Sequence, residues 1–245
     1  MAGLLYKELI LGRKNLTIMA VIILFISVMP FAALWADDST FEETAAFMPL
    51  FTVFVCMLIF YLAGLFQSNF FETDEMKKWA YFVSSTPETA RGQVASKYIF
   101  CGLVSLAVMI WCYILDIIIS AAYGITGGTG LVVGMILFYV QLFLNSLEFP
   151  FMVRFGSRAG SVYKTAVFFV FIFILLVYAL FGDLSVFGSI DKVYELIFGM
   201  LSGEAFGGGT LLVLSLCPFI AALCYYFSCK FSCKLYLKGA ENFDK

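Results

Sequence analysis

The 245-residue sequence contains no histidine and only 13% charged residues. The first absence excludes HExxH metalloprotease chemistry and every mechanism that needs an imidazole base. The second is far below the roughly one-quarter charge of a soluble domain. No GxxxxGK[ST] phosphate loop occurs, so the chain is not expected to hydrolyse nucleotide itself. No serine has a lysine beside it at membrane depth, and no enzyme is expected. There is no CxxC, and none of the seven cysteines falls in an expected outer loop, which argues against a disulfide framework or a metal site. No segment alternates polar and apolar residues as barrel strands do. What fills the chain is apolar: 62% hydrophobic, with 29 Phe, and a mean hydropathy of +0.98.

A helix needs about 20 apolar residues to cross the hydrocarbon of a bilayer. Charge-free runs of that length predict an all-α, polytopic membrane protein forming one membrane domain over 1–245. Six spans are expected, at about 16–36, 45–67, 98–122, 131–153, 165–182 and 209–229. The run after Asp116 is too long for one span, and GITGGTG (Gly124 to Gly130) breaks it with a turn. The first span follows a basic segment as a signal peptide would, but it is too long and lacks a small-residue cleavage site. It is read as retained.

Basic residues set the orientation. With the N-terminus inside, fourteen of the fifteen Lys and Arg fall in inner segments, and only Lys192 lies outside. Both termini are therefore expected in the cytoplasm. The first outer loop, DDSTFEET, is purely acidic. GLLYKELILGRK at the N-terminus fits a short interfacial helix leading into the first span. Between the fifth and sixth spans, SIDKVYELIFGML predicts an outer helix over 189–201, either on the surface or as a lid, between flexible glycines.

The segment over 70–97 carries eight charges between two apolar runs: Glu72, Asp74, Glu75, Lys77, Lys78, Glu88, Arg91 and Lys97. Met76, Trp79, Ala80 and Val83 share one helical face. Thr73 suits an N-cap, and Asp74 and Glu75 suit a first turn. This predicts a short amphipathic helix along the inner surface. Thr86, Pro87 and Glu88 then start a second helix that runs through Lys97 into the third span. The pair either anchors the protein or docks as a lever on a cytoplasmic partner. Two acids fall within or beside spans. Glu148 lies toward the inner boundary, where snorkelling to the basic surface explains it. Asp116 lies deeper, and either serves a functional role or reaches outer water.

Four motifs carry a family resemblance. They are L-Y-K-E-L (Leu5 to Leu9), FxxDExxKW (Phe71 to Trp79), S-T-P-E-T-A-R-G-Q-V-A-S-K-Y (Ser85 to Tyr98) and FPFMVRFGSRAG (Phe149 to Gly160). With six spans and no ATPase, the chain resembles the permease subunits of type-2 ATP-binding-cassette (ABC) exporters. Within that family it is most similar to bacterial exporters of amphipathic peptides of the phenol-soluble modulin or antimicrobial kind. The resemblance implies a bacterial cell membrane and export of an amphipathic or hydrophobic substrate. It also implies a second permease subunit, identical or a sister chain, and two copies of a separate ATPase that bind ATP and Mg. It makes 70–97 the coupling segment, with Asp74, Glu75, Lys77, Lys78, Trp79, Glu88 and Arg91 as ATPase-coupling residues and 189–201 as the outer lid. Besides lipid, no partner of another kind is implied, and nucleic acid is not one. The competing reading, a secondary transporter or channel without an ATPase, would place the weight on Asp116 and Glu148.

Overall fold

Five of the apolar runs become long helices in the computed structural model, which describes residues 2–31, 38–76, 89–124, 129–156 and 208–240, with isolated helical positions between 162 and 173. These are α1 (Ala2–Val28), α2 (Asp38–Met76), α3 (Thr89–Tyr123), α4 (Thr129–Phe155) and α5 (Gly208–Ala240). Each contains a stretch long and apolar enough to cross a membrane, and no strand occurs among the described residues. The fifth expected span (165–182), apart from those isolated positions, and the lid (189–201) lie outside the described residues.

Helices outrun the expected spans. At about 1.5 Å per residue, the 39 residues of α2 extend roughly 58 Å, well beyond a hydrocarbon core. Two expectations are corrected by this. The acidic outer loop is helical from Asp38 onward, and Thr73 lies inside α2 rather than capping a new helix. Asp74 and Glu75 thus occupy the last turn of α2, the end where the helix dipole opposes a carboxylate. The cause is local: no glycine or proline interrupts the chain between Gly64 and Pro87, so a helix once formed propagates past the membrane boundary. The N-terminal segment likewise is no separate interfacial helix, because α1 runs unbroken from Ala2 through Gly12 to Val28.

Two helix ends are closed by glycine. Gly124 follows α3 with φ +65°, as the GITGGTG turn predicts. Gly156 follows α4 with φ +93°, and its N–H donates to Met152 O at 3.0 Å, closing the helix with a left-handed cap.

Contacts fix how the helices run. Gly12 of α1, Phe70 of α2 and Lys97 of α3 meet at one end, which also carries Arg13, Lys14 and Arg91 and is called the basic end below. Towards the opposite end, Trp111 Nε1 of α3 donates to Ser27 Oγ of α1 at 3.0 Å, and Tyr123 OH donates to Pro30 O at 2.6 Å. So α1 and α3 are parallel, and α2 is antiparallel to both. Gly134 of α4 packs beside Met109 and Cys112, while Phe149 packs on Tyr98, so α4 returns to the basic end. The Cys233 thiol of α5 donates to Arg91 O at 3.9 Å, so α5 also ends there. Helices α4 and α5 therefore run the same way.

Packing is reversed relative to a water-soluble protein. Large apolar side chains point outward, with Phe25 at 70% and Phe219 at 71% exposure. Polar side chains such as Gln67, Ser105, Asn145 and Glu148 are buried. In water such a surface is untenable, whereas in lipid the outward face is solvated by acyl chains and buried polar groups join helices. The apolar half of the core is formed by residues such as Val55, Cys56 and Ile59 of α2 with Val108, Cys112 and Leu115 of α3.

Candidate functional site

Most of the buried polar residues gather at the basic end, at the root of the 70–97 segment. Gln67 on α2 is fully buried and uses its whole amide. Its Nε2 donates to Ser105 Oγ at 2.8 Å and Cys101 O at 3.3 Å on α3. Its Oε1 accepts from Asn145 Nδ2 at 2.7 Å and Gln141 Nε2 at 3.3 Å on α4. One side chain thus joins three helices. Close approach is permitted by Gly64, one turn earlier, where an added Cβ would lie 2.8 Å from Gln141 Nε2.

Tyr98 forms a second hub. Its hydroxyl bonds Ser228 Oγ at 2.8 Å and Ser232 Oγ at 2.6 Å on α5, and Tyr225 OH returns a bond to Tyr98 O at 2.6 Å. Ser228 Oγ in turn donates to Ser146 O of α4 at 2.5 Å. The Tyr98 ring meets Phe149 and Tyr225 edge-on, each at 5.0 Å. Aromatic contacts of this geometry add to the burial of the rings themselves.

Both ends of the 70–97 segment are tied together. Lys97 is buried, and its Nζ donates to the carbonyl of Phe70 at 3.3 Å. The Phe70 ring lies over Gly12 of α1 and meets Phe100 of α3 edge-on at 5.1 Å. A Cβ at position 12 would overlap that ring, so glycine is what lets α1 approach.

Of the expected coupling residues, Asp74 and Glu75 lie in the last turn of α2. Arg91 is exposed near the start of α3. Lys77, Lys78, Trp79 and Glu88 lie outside the described residues. The expected continuation of the second helix through Lys97 into the third span is present as α3. Glu148 does not snorkel: it is 1% exposed and accepts a hydrogen bond from Ser68 Oγ at 2.7 Å. Its helix face turns it into the bundle, with Asn145 and Gln141 one and two turns earlier on the same face. Asp116 is also buried, on the inward face of α3 shared with Cys112 and Ile119. The structure does not bring Asp116 and Glu148 into one site, since Asp116 belongs to the opposite half of α3.

Sequence reasoning missed Glu8, Gln67, Lys97, Tyr98, Gln141 and Asn145. A signal was present for two of them: Gln141, Asn145 and Glu148 recur at i, i+4 and i+7, a polar stripe on an otherwise apolar helix. Among the described residues no three Cys, Asp or Glu gather as metal ligands, and all seven cysteines are free.

Five membrane-length helices, apolar outside and with polar groups buried between them, describe a multi-pass membrane protein. The sequence matches the family described as ABC-2 family transporter protein over residues 3–237. The chain belongs to that family. It is accordingly a multi-pass permease component of an ABC transporter, a class that associates with an ATPase subunit. None of the curated proteins and none of the solved structures gives a significant match.

Proposed function

We propose that this permease is an exporter subunit that moves an amphipathic or hydrophobic substrate, a peptide, out of a bacterial cytoplasm, driven by a separate ATPase docked on the 70–97 segment. The observation that carries this reading is the rooting of that segment. Phe70 and Lys97, its first and last residues, are bonded to each other and packed against α1, α2 and α3, and the adjoining Tyr98 engages α5. A force delivered at Phe70 or Lys97 would reach α1, α2, α3 and α5 through these contacts.

In this reading Asp74, Glu75, Lys77, Lys78 and Trp79 contact the ATPase, with Glu88 and Arg91 beside them. ATP and Mg are bound by two copies of that partner, not by this chain. A second permease subunit, identical or a sister chain, completes the pathway. Both termini face the cytoplasm, and the basic end of the bundle is the cytoplasmic one. The parallel course of α4 and α5 supports a return crossing between them, which 165–182 supplies as the fifth of six spans. The segment 189–201 then serves as the outer lid. Peptide as substrate is supported by the motif resemblance and by the charge-free, Phe-rich spans.

The test is ATP-dependent uptake of a labelled amphipathic helical peptide into inside-out membrane vesicles, with native chain and with Lys77→Glu/Lys78→Glu. Uptake should need ATP and be lost in the reversed variant while the spans stay folded. Uptake driven by a proton gradient without ATP would favour the secondary-transporter reading, and normal uptake in the variant would remove the docking assignment.

A further inference from the structure

Two buried ionisable side chains are bonded to one turn of α2, and a third lies nearby on α1. Ser68 Oγ donates to Glu148 of α4, and two residues on, Phe70 O accepts from Lys97 Nζ of α3. The ring of Phe70 is seated on Gly12 of α1, one turn beyond Glu8. Glu8, Lys97 and Glu148 are 3%, 7% and 1% exposed. Buried Cys101 lies within electrostatic reach of all three. Lys7 adds a second cation, with its Nζ 3.2 Å from Glu8 Oε1. The group therefore holds two cations and two carboxylates and is neutral as a whole, which is the condition under which charges are retained away from water.

We propose that Glu8, Lys97 and Glu148 form one buried charge cluster that clasps the inner end of α2, with Lys97 as the shared counter-charge. It is the joint through which movement of the 70–97 segment reaches α1 and α4. This rests on the reading of 70–97 as the ATPase-coupling segment. Its members are positioning residues. Lys97 closes the segment and Phe70 opens it, so displacing the segment must either carry the clasped turn along or break the cluster. Because an unpaired charge is costly here, the cluster has intact and broken arrangements rather than a continuum, and so suits a switch.

The test is a double-mutant cycle of Lys97→Met and Glu148→Gln, read in two ways. Thermal unfolding of the purified chain in detergent reports the pairing. Stimulation of ATP hydrolysis when the bound ATPase is reconstituted with the permease in liposomes reports the coupling. Lys97→Met alone should lower the melting temperature by leaving buried carboxylates without their cation, and adding Glu148→Gln should recover most of that loss. The doubly neutral variant should nevertheless lose about tenfold in stimulation, within the usual range of coupling between sites. A Lys97→Met chain as stable as native, or strictly additive effects, would overturn the cluster. Full stimulation by the stable double variant would overturn the joint. Absence of any ATPase from the native complex would remove the permease reading and the joint with it, while the unfolding cycle would still decide the cluster.

Discussion

Replacing Gln67 with leucine removes the hub that joins α2, α3 and α4, and its cost can be worked from the bonds lost. Four hydrogen bonds end on that amide. In a membrane protein an interhelical side-chain bond contributes on average about 0.6 kcal/mol, because the unfolded chain in lipid also finds partners. Four such bonds suggest roughly 2.4 kcal/mol. Leucine offsets part of this through its own apolar burial, and Ser105 can turn its hydroxyl back to Cys101 O, the carbonyl one turn earlier. Against that, Asn145 is fully buried, and an unsatisfied buried amide costs about 1–3 kcal/mol. The balance gives a destabilisation of about 2 kcal/mol. Reversible unfolding in mixed detergent micelles would measure it, with Tyr61→Leu as the control. Tyr61 lies on α2 but is 66% exposed on its outward face, so its replacement should cost little. A Gln67→Leu protein as stable as native would refute the claim that this polar belt holds the helices together.

Two further outcomes follow from the packing. Gly12→Ala should lower the melting temperature despite the ~1 kcal/mol gain in helix propensity, because overpacking against a buried ring costs roughly 1–3 kcal/mol. Gly3→Ala, where nothing lies within 4 Å of the new Cβ, should be neutral or stabilising, and equal effects at the two positions would contradict the α1–α2 contact. The thiols of Cys56 on α2 and Cys112 on α3 are neighbours and both fully buried. A membrane-permeant oxidant should join them in an intramolecular disulfide that Cys56→Ser abolishes, and free thiols at both positions after oxidation would contradict the register of α2 on α3.

Five of the spans were legible because hydrocarbon imposes a length on charge-free sequence, and the Gly124 turn because glycine alone takes a positive φ without strain. Helix ends were not. The expected amphipathic helix was given a start at Thr73 from its capping chemistry, yet a cap forms only where a helix has stopped. No glycine or proline between Gly64 and Thr73 stops α2 there. Depth also proved a poor guide to environment. Glu148 sits near the membrane boundary, where a long acid can reach water, but the face of α4 on which it lies points inward. That face was encoded in the spacing of Gln141, Asn145 and Glu148 and was recoverable. Lys97 counted correctly among the basic residues of one end, and its burial against Phe70 depends on a contact between residues 27 positions apart, which no local pattern carries.

The central claim is that the 70–97 segment couples this permease to an ATPase. The most direct measurement is to purify the tagged chain from its native membrane in mild detergent and identify its companions by mass spectrometry, with native sequence and with Lys77→Glu/Lys78→Glu. The account predicts a stoichiometric P-loop ATPase with the native chain and its loss from the variant. An ATPase retained equally by both would contradict the assignment of the docking segment, and none retained under several gentle conditions would contradict the account as a whole.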